Sequence, residues 1–236
     1  MKKIYIHPFL AVIFLSGCAV TQPLSTDSLS ISPQAVTEKK FPISVGLFIE
    51  EETRNFKKTV HTDGQVCDST YPVGSELSKI LLRASQTCFE RIKVVTSLPN
   101  SPSKDVDVYL LIQSLQADIQ TEFTQNPRAA FPLGVLIDPP HTKVNADLSI
   151  SVRVIDPNSG NIYSFPVSGK GASDTSFNFA AGVNTALQDL AKNFIQKILN
   201  SDQIRDFSDR TQNVNAALAA FSPKKERVIK TSGTES

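Results

Sequence analysis

Two long segments in which apolar and polar residues alternate constrain the fold most strongly. In the segment DVDVYLLIQSLQADIQTEF, the side chains that would face a core are Val106, Val108, Leu110 and Ile112. The segment VNADLSISVRVI repeats the pattern with Ala146, Leu148, Ile150, Val152 and Val154. Because successive side chains of a strand point to opposite faces, both segments predict strands with one buried face. The sequence DPNSGN after the second segment predicts a turn into a further strand.

Two other segments carry apolar residues at helical spacing, which places these residues on one face of a helix. The first set is Leu77, Ile80, Leu81, Ala84 and Cys88; the second is Phe179, Val183, Leu187, Leu190, Phe194 and Ile198. We interpret both stripes as core packing. With the remaining strand predictions the order is β-β-α-β-β-β-β-α. This order predicts an α+β fold, in which a single antiparallel or mixed β-sheet has two α-helices packed on one face.

The N-terminus has the three parts of a secretory signal. Lys2 and Lys3 form a positive segment, residues 4–14 form an apolar segment, and Ser16 and Gly17 are the small residues required before a cleavage site. The apolar segment is too short for a helix that crosses about 30 Å of hydrocarbon. It therefore predicts export.

The residues Leu15-Ser16-Gly17-Cys18 resemble the lipoprotein box of bacteria. This resemblance implies lipidation of the Cys18 thiol, cleavage before Cys18 and acylation of the new amino terminus. Ala19 in place of aspartate implies sorting to the outer membrane of a Gram-negative envelope, with the domain facing the periplasm. The alternative is an ordinary signal peptide followed by an unrelated cysteine.

These features predict four regions. Residues 1–17 are the signal peptide, and residues 18–40 are the lipidated cysteine and a flexible tether rich in Ser, Thr, Pro and Gln. Residues 41–204 are the αβ domain, and residues 205–236 are a polar, disordered tail. Removal of residues 1–17 changes the formal net charge from +1 to −1, because two lysines and no acidic residue leave. A nearly neutral chain gives no electrostatic argument for nucleic-acid binding.

Cys67 and Cys88 are the two cysteines of the predicted domain. An exported protein can form disulfides, and a short strand followed by a returning helix would bring both residues to one end. They are either a disulfide or two buried thiols, which behave as small apolar side chains.

A proline-rich segment with an apolar centre separates the two alternating segments. It is NPRAAFPLGVLIDPP, residues 126–140. Exposed apolar patches usually mark binding sites. We consider two interpretations, a partner-binding or membrane-contacting loop and a lid folded over the sheet edge. The residues of the candidate loop are Phe131, Leu133, Val135, Leu136 and Ile137.

The sequence carries no constellation that indicates catalysis. His61 and His141 are the histidines of the mature chain, and neither has the spacing of a zinc site with the cysteines. The chain has no nucleophile elbow, phosphate loop or dinucleotide fingerprint. Gly169-Lys170-Gly171 lacks the spacing of a phosphate loop. We therefore predict a protein that is not an enzyme and that needs no cofactor or metal.

The lipoprotein box and the tether precede YPVGSELSKILLRASQTCFERIKVV, DVDVYLLIQSLQADI and FAAGVNTALQDLAKNFIQKI. This order resembles small Gram-negative outer-membrane lipoproteins of the YajG type, and at the level of fold the αβ domains of CsgG, LpoB and the TolB amino-terminal domain. The resemblance covers about residues 41–204 and implies the fold more than the function.

The leading functional hypothesis is a lipid-anchored periplasmic lipoprotein that binds an envelope protein during envelope assembly, secretion or maintenance. The sheet edge or the apolar loop would supply the contact. The alternative hypothesis is a carrier or assembly factor for a lipid or glycolipid, which requires an apolar cavity between helices and sheet. An enzyme is the third hypothesis, and it requires His61 or His141 beside an acid and a nucleophile.

Overall fold

The computed structural model describes residues 19–25, 40–62, 67–98, 105–124, 141–157, 159–160, 162–175 and 178–221. The strands are β1 (Ala19–Thr21), β2 (Phe41–Ile49), β3 (Lys58–Val60), β4 (Asp68–Tyr71), β5 (Phe89–Val95), β6 (Val108–Thr124), β7 (His141–Ile155) and β8 (Ile162–Thr175). The helices are α1 (Glu51–Arg54), α2 (Val73–Cys88), α3 (Ala181–Leu199) and α4 (Asp202–Phe221).

The main sheet has the order β5-β2-β6-β7-β8. Strand β2 is parallel to β5 and to β6, whereas β6-β7 and β7-β8 are antiparallel pairs. The α+β class and a mixed sheet are therefore confirmed. The prediction of a single sheet is wrong, because β1, β4 and β3 form a second, three-stranded sheet. The described residues also contain four helices where two were predicted.

Strand β6 keeps one apolar face along its length because a bulge changes its alternation. Up to Ile112 the even-numbered residues face the helices, and from Leu115 the odd-numbered residues do. The register against β7 shifts between Gln113 and Gln116, and Ser114 has a φ of 58°. The bulge inserts one residue, so that Leu115 and Ile119 return to the buried side.

The core lies between the main sheet and the helices. Both helical stripes predicted from spacing are buried in it, with Leu77, Ile80, Leu187 and Phe194 fully inaccessible to solvent. Phe179, at the start of the second stripe, is only half-buried. The buried side chains of α2 and α3 join the same apolar cluster as the inward side chains of β2, β6, β7 and β8. Both helices therefore cover one face of the sheet, as predicted.

The Gly169-Lys170-Gly171 segment of β8 allows helix α3 to approach the sheet closely. A Cβ atom on Gly169 would lie 2.2 Å from the carbonyl oxygen of Ala186, and a Cβ on Gly171 would lie 2.1 Å from that of Gly182. Side chains cannot occupy this space, because real Cβ atoms essentially never approach backbone so closely. The two glycines are therefore packing residues between α3 and β8.

The predicted tether is wrong at its start. Strand β1 pairs in parallel with β4, and Ala19 is the register partner of Asp68. The Gln22 amide donates a 2.8 Å hydrogen bond to the Thr70 carbonyl. Leu24 packs against the core, and the Ser25 amide donates to Asn184 Oδ1 at 3.1 Å. Residues 19–25 are held by backbone pairing and by the contact of the partly buried Leu24 with the core, and residues 26–39 lie outside the described residues.

The predicted disordered tail is also wrong where it begins. Helix α4 runs from Asp202 to Phe221, and Ser201 caps it, because its Oγ accepts a 3.3 Å hydrogen bond from the Ile204 amide. Ile204 is 3% exposed and joins the core cluster. Residues 222–236 lie outside the described residues.

Candidate apolar binding cavity

A cavity of about 400 Å³ lies between α4 and the helix-facing side of the main sheet. Its apolar walls are Ile43, Phe89, Val108, Leu110, Val154 and Tyr163. Helix α4 contributes Ile204 and Phe207. A cavity of this size and lining falls in the range of small-molecule binding sites. We call it the α4 cavity.

Strand alternation explains why the wall of the α4 cavity is apolar. Val108 and Leu110 begin β6 on the helix-facing side, and Val154 is the register partner of both Leu110 and Tyr163. All these residues occupy the end of the sheet where β2, β6 and β8 begin and β7 ends. Helix α4 turns back over this end because Ser201 ends one helix and caps the next.

Polar side chains of both charges line the same cavity from α4. Gln203, Asp206 and Arg210 are lining residues. The Arg210 guanidinium lies over the Phe207 ring, 5.9 Å from its centroid, a cation–π contact that favours this position. Asp156 also lines the cavity, and its carboxylate accepts a 3.2 Å hydrogen bond from the Ser159 amide in the turn between β7 and β8.

The cysteine prediction is wrong as a pair. Cys67 is disulfide-bonded, whereas Cys88 is fully buried in the core and does not take part in that bond. The interpretation of Cys88 as a buried thiol agrees with its place on the inner face of α2. Cys18, the predicted lipidation site, lies outside the described residues, directly before Ala19.

The candidate loop residues Phe131, Leu133, Val135, Leu136 and Ile137 lie outside the described residues. The structure describes the residues that flank the loop. Thr124 ends β6 and is the register partner of His141, the first residue of β7. The hairpin therefore remains paired up to the point where this segment begins and ends.

The two histidines each lie beside an aspartate on the surface. His61 Nδ1 is 2.8 Å from Asp68 Oδ1, and His141 Nδ1 is 3.6 Å from Asp174 Oδ1. Neither histidine lines the α4 cavity. Within the described ranges, no cluster of three or more His, Cys, Asp or Glu side chains could hold a metal ion.

Side chains of α3 occupy the outer edge of β8. Asn193 and Lys197 donate to the carbonyl oxygens of Ser168 and Pro166, and Asp189 Oδ2 accepts a 3.0 Å hydrogen bond from the Lys170 amide. An edge strand whose backbone groups are already bonded cannot accept a partner strand there. These bonds protect residues 166–170 of β8, and the sheet-edge contact expected from the sequence stays a prediction.

No helix of the described part of the chain combines the length and apolar character required to cross a membrane.

No protein-family model and no curated protein matches the chain. Among solved structures, it is similar to a Xanthomonas campestris protein of the DUF330 family, with 9% identity, a TM-score of 0.39 and coverage of 83% of this chain and 98% of that chain. It is also similar to the rare lipoprotein B of Shewanella oneidensis, with 12% identity, a TM-score of 0.34 and coverage of 74% and 98%. It is also similar to a Helicobacter pylori homologue of a neuraminyllactose-binding haemagglutinin, with 8% identity, a TM-score of 0.35 and coverage of 75% of this chain and 95% of that chain. At these values no function is transferred, and the resemblance to YajG-type lipoproteins stays a prediction.

Proposed function

We propose that this chain is an outer-membrane lipoprotein that faces the periplasm and binds the acyl chain of an amphiphile in the α4 cavity. Lipidation at Cys18 supplies the membrane anchor. The α4 cavity is the observation that carries the proposal, because an apolar space between helices and sheet is what a lipid or glycolipid carrier requires. The role is binding without catalysis.

The chemistry of the α4 cavity favours an amphiphile. Its walls are apolar side chains of the sheet, and burial of each CH₂ of an acyl chain contributes about 0.8 kcal/mol. The α4 side contributes Asp206 and Arg210, one group of each charge. A head group that carries both a phosphate and an ammonium would find a partner for each.

Neighbouring residues of β7 offer a matched pair of variants for a direct test. Val154 lines the α4 cavity, whereas Ile155 is half-buried and points to the opposite face of the sheet. The protein with its covalent lipid anchor would be purified from bacterial membranes and stripped of non-covalently bound lipid. It would then be titrated with the fluorescent apolar probe N-phenyl-1-naphthylamine.

We expect the parent chain and Ile155→Phe to bind the probe and Val154→Phe to lose most of this binding. Mass spectrometry of the lipids that copurify with each variant should detect bound lipid with the parent chain and Ile155→Phe and much less with Val154→Phe. Equal probe binding by Val154→Phe and the parent chain would exclude the α4 cavity as the site.

The second candidate function is the protein-binding component of an envelope assembly. The observation that favours it is the second half of α4, where Val214 is 58% exposed. Ile204, Phe207 and Val214 share one side of the helix by their spacing, and the first two are held against the domain. The apolar side thus continues past the domain, where a partner helix could pack.

A photo-crosslinking amino acid at position 214 tests this second candidate in the intact lipidated protein. The matched control places the same amino acid at Gln212, which is exposed on the same helix. An envelope protein captured from position 214 alone, and lost in Cys18→Ala, would support the assembly hypothesis. Capture of lipid without protein would favour the carrier.

A further inference from the structure

We infer that the domain rests on its membrane with one defined end and holds the α4 cavity at the opposite end, away from the lipid. The membrane-facing end, here called the anchor end, consists of β1, the start of β4 and the paired residues 121–124 and 141–144 of β6 and β7. This inference rests on the proposed lipidation of Cys18. It adds the direction from which a ligand reaches the cavity.

A chain of described contacts places the N-terminus at the anchor end. Ala19 is the register partner of Asp68, and the next residue of β4, Ser69, is the register partner of Val60. Two residues beyond Val60, the Thr62 hydroxyl is hydrogen-bonded to the Thr121 hydroxyl of β6. Paired strands lie about 4.8 Å apart, so Ala19 is separated from the far part of β6 by only a few strand spacings.

The pairing of β1 with β4 keeps the distance between the lipid anchor and the domain short. A tether of about twenty residues could hold a domain up to about 70 Å from the membrane. Ala19 follows Cys18 directly and is already paired with β4, and one residue spans at most about 3.6 Å. A lipid on Cys18 therefore holds the anchor end at the head groups, which form a layer roughly 5–8 Å deep.

The length of β6 sets the distance from the anchor end to the α4 cavity. Leu110 lines the cavity and Thr121 belongs to the anchor end, and both lie on this one strand. Their register partners on β7, Val154 and Val144, are ten residues apart, which corresponds to about 33 Å at a rise of about 3.3 Å per residue. The cavity is therefore beyond the head groups of the anchoring membrane, and its ligand arrives from the periplasmic side.

The exposed side chains of the anchor end suit a polar interface with an apolar contact. His61 and His141 are largely exposed there, and Lys143 is exposed beside them. Val20 of β1 is 47% exposed and is the second residue after Cys18, so it is an apolar side chain close to the proposed anchor. Asp68 and Asp174 lie beside the two histidines, so this end presents polar groups of both charges to the head groups.

Fluorescence quenching on vesicles tests the orientation with the full lipidated protein. Azidophenylalanine at Glu122, at the anchor end, or at Asp209, on α4, would carry one fluorophore by click chemistry; both residues are exposed. Vesicles of phosphatidylethanolamine and phosphatidylglycerol would carry a nitroxide on the head groups. We expect the probe at 122 to lose most of its fluorescence and the probe at 209 to keep it.

The variant Val20→Pro provides the matched control, because proline removes the backbone donor of β1 while the anchor remains. We expect this variant to float with the vesicles and to lose the difference between the two probes. A parent chain that floats with both probes quenched equally would overturn the orientation alone. A chain that does not float would overturn the lipid anchor, and the orientation with it.

Discussion

Asn193 of α3 donates a 2.9 Å hydrogen bond from Nδ2 to the backbone carbonyl of Ser168, on the outer side of edge strand β8. Asp189 and Lys197, one turn before and one turn after Asn193, bond the Lys170 amide and the Pro166 carbonyl in the same way. One row of α3 thus satisfies alternate backbone groups that a sheet edge would otherwise expose.

Removal of this row should open the edge to pairing between chains. In analytical ultracentrifugation, we expect the weight-average mass of the triple variant Asp189→Ala, Asn193→Ala, Lys197→Ala to increase with protein concentration. The control removes the neighbouring row with the same spacing, Gln188, Lys192 and Gln196, and should behave as the parent chain. The same mass for both triple variants would show that these hydrogen bonds do not protect the edge.

Alanine at Gly171 should destabilise the domain strongly, because its Cβ would lie 2.1 Å from the Gly182 carbonyl oxygen. Helix α3 must move away from β8, and overpacking of this kind costs about 1–3 kcal/mol. The measurement is the urea midpoint at constant m-value. Lys170→Ala is the control: it removes one exposed ion pair, Lys170 Nζ to Asp147 Oδ2 at 3.2 Å, worth about 0–1 kcal/mol. Equal losses in the two variants would contradict the packing role.

Local periodicity was sufficient to predict β6, β7, α2 and α3, because each buries one face over many residues. The bulge in β6 is also visible in the sequence, because the apolar positions change from even-numbered at Ile112 to odd-numbered at Leu115. A strict alternation between even and odd positions, as assumed for the prediction, does not detect this change. Ser201 and Asp202 are a helix start, with a capping hydroxyl and an acidic first turn.

Most of α4 lies in the segment predicted to be a disordered tail, because the helix is polar along much of its length. Among its residues whose burial is described, the buried ones lie in the first two turns. The α4 cavity could not be predicted without that helix. The pairing of Ala19 with Asp68 joins segments almost fifty residues apart, and no local pattern in a three-residue strand reveals its partner. Long-range pairing of short strands is thus the part of this fold that a single sequence leaves undetermined.

Ionisation of Tyr71 should lower the stability of the domain at alkaline pH. Its side chain is fully buried and its hydroxyl donates a 3.3 Å hydrogen bond to the Phe179 carbonyl. Burial raises the pKa of Tyr71 above its ordinary value, and a hydrogen bond with Ser69 lowers it by less. The stabilisation is complete below about pH 10, where the phenol is neutral in both states.

Above about pH 10 the unfolded chain ionises first, and the free energy of unfolding falls by up to about 1.4 kcal/mol per pH unit until the folded pKa is reached. We expect Tyr71→Phe to be about 1 kcal/mol less stable at pH 8, because the hydrogen bond is lost, and to show a shallower decline above pH 10. Urea unfolding at several pH values provides the measurement. Parallel curves for Tyr71→Phe and the parent chain would refute the role of this phenol.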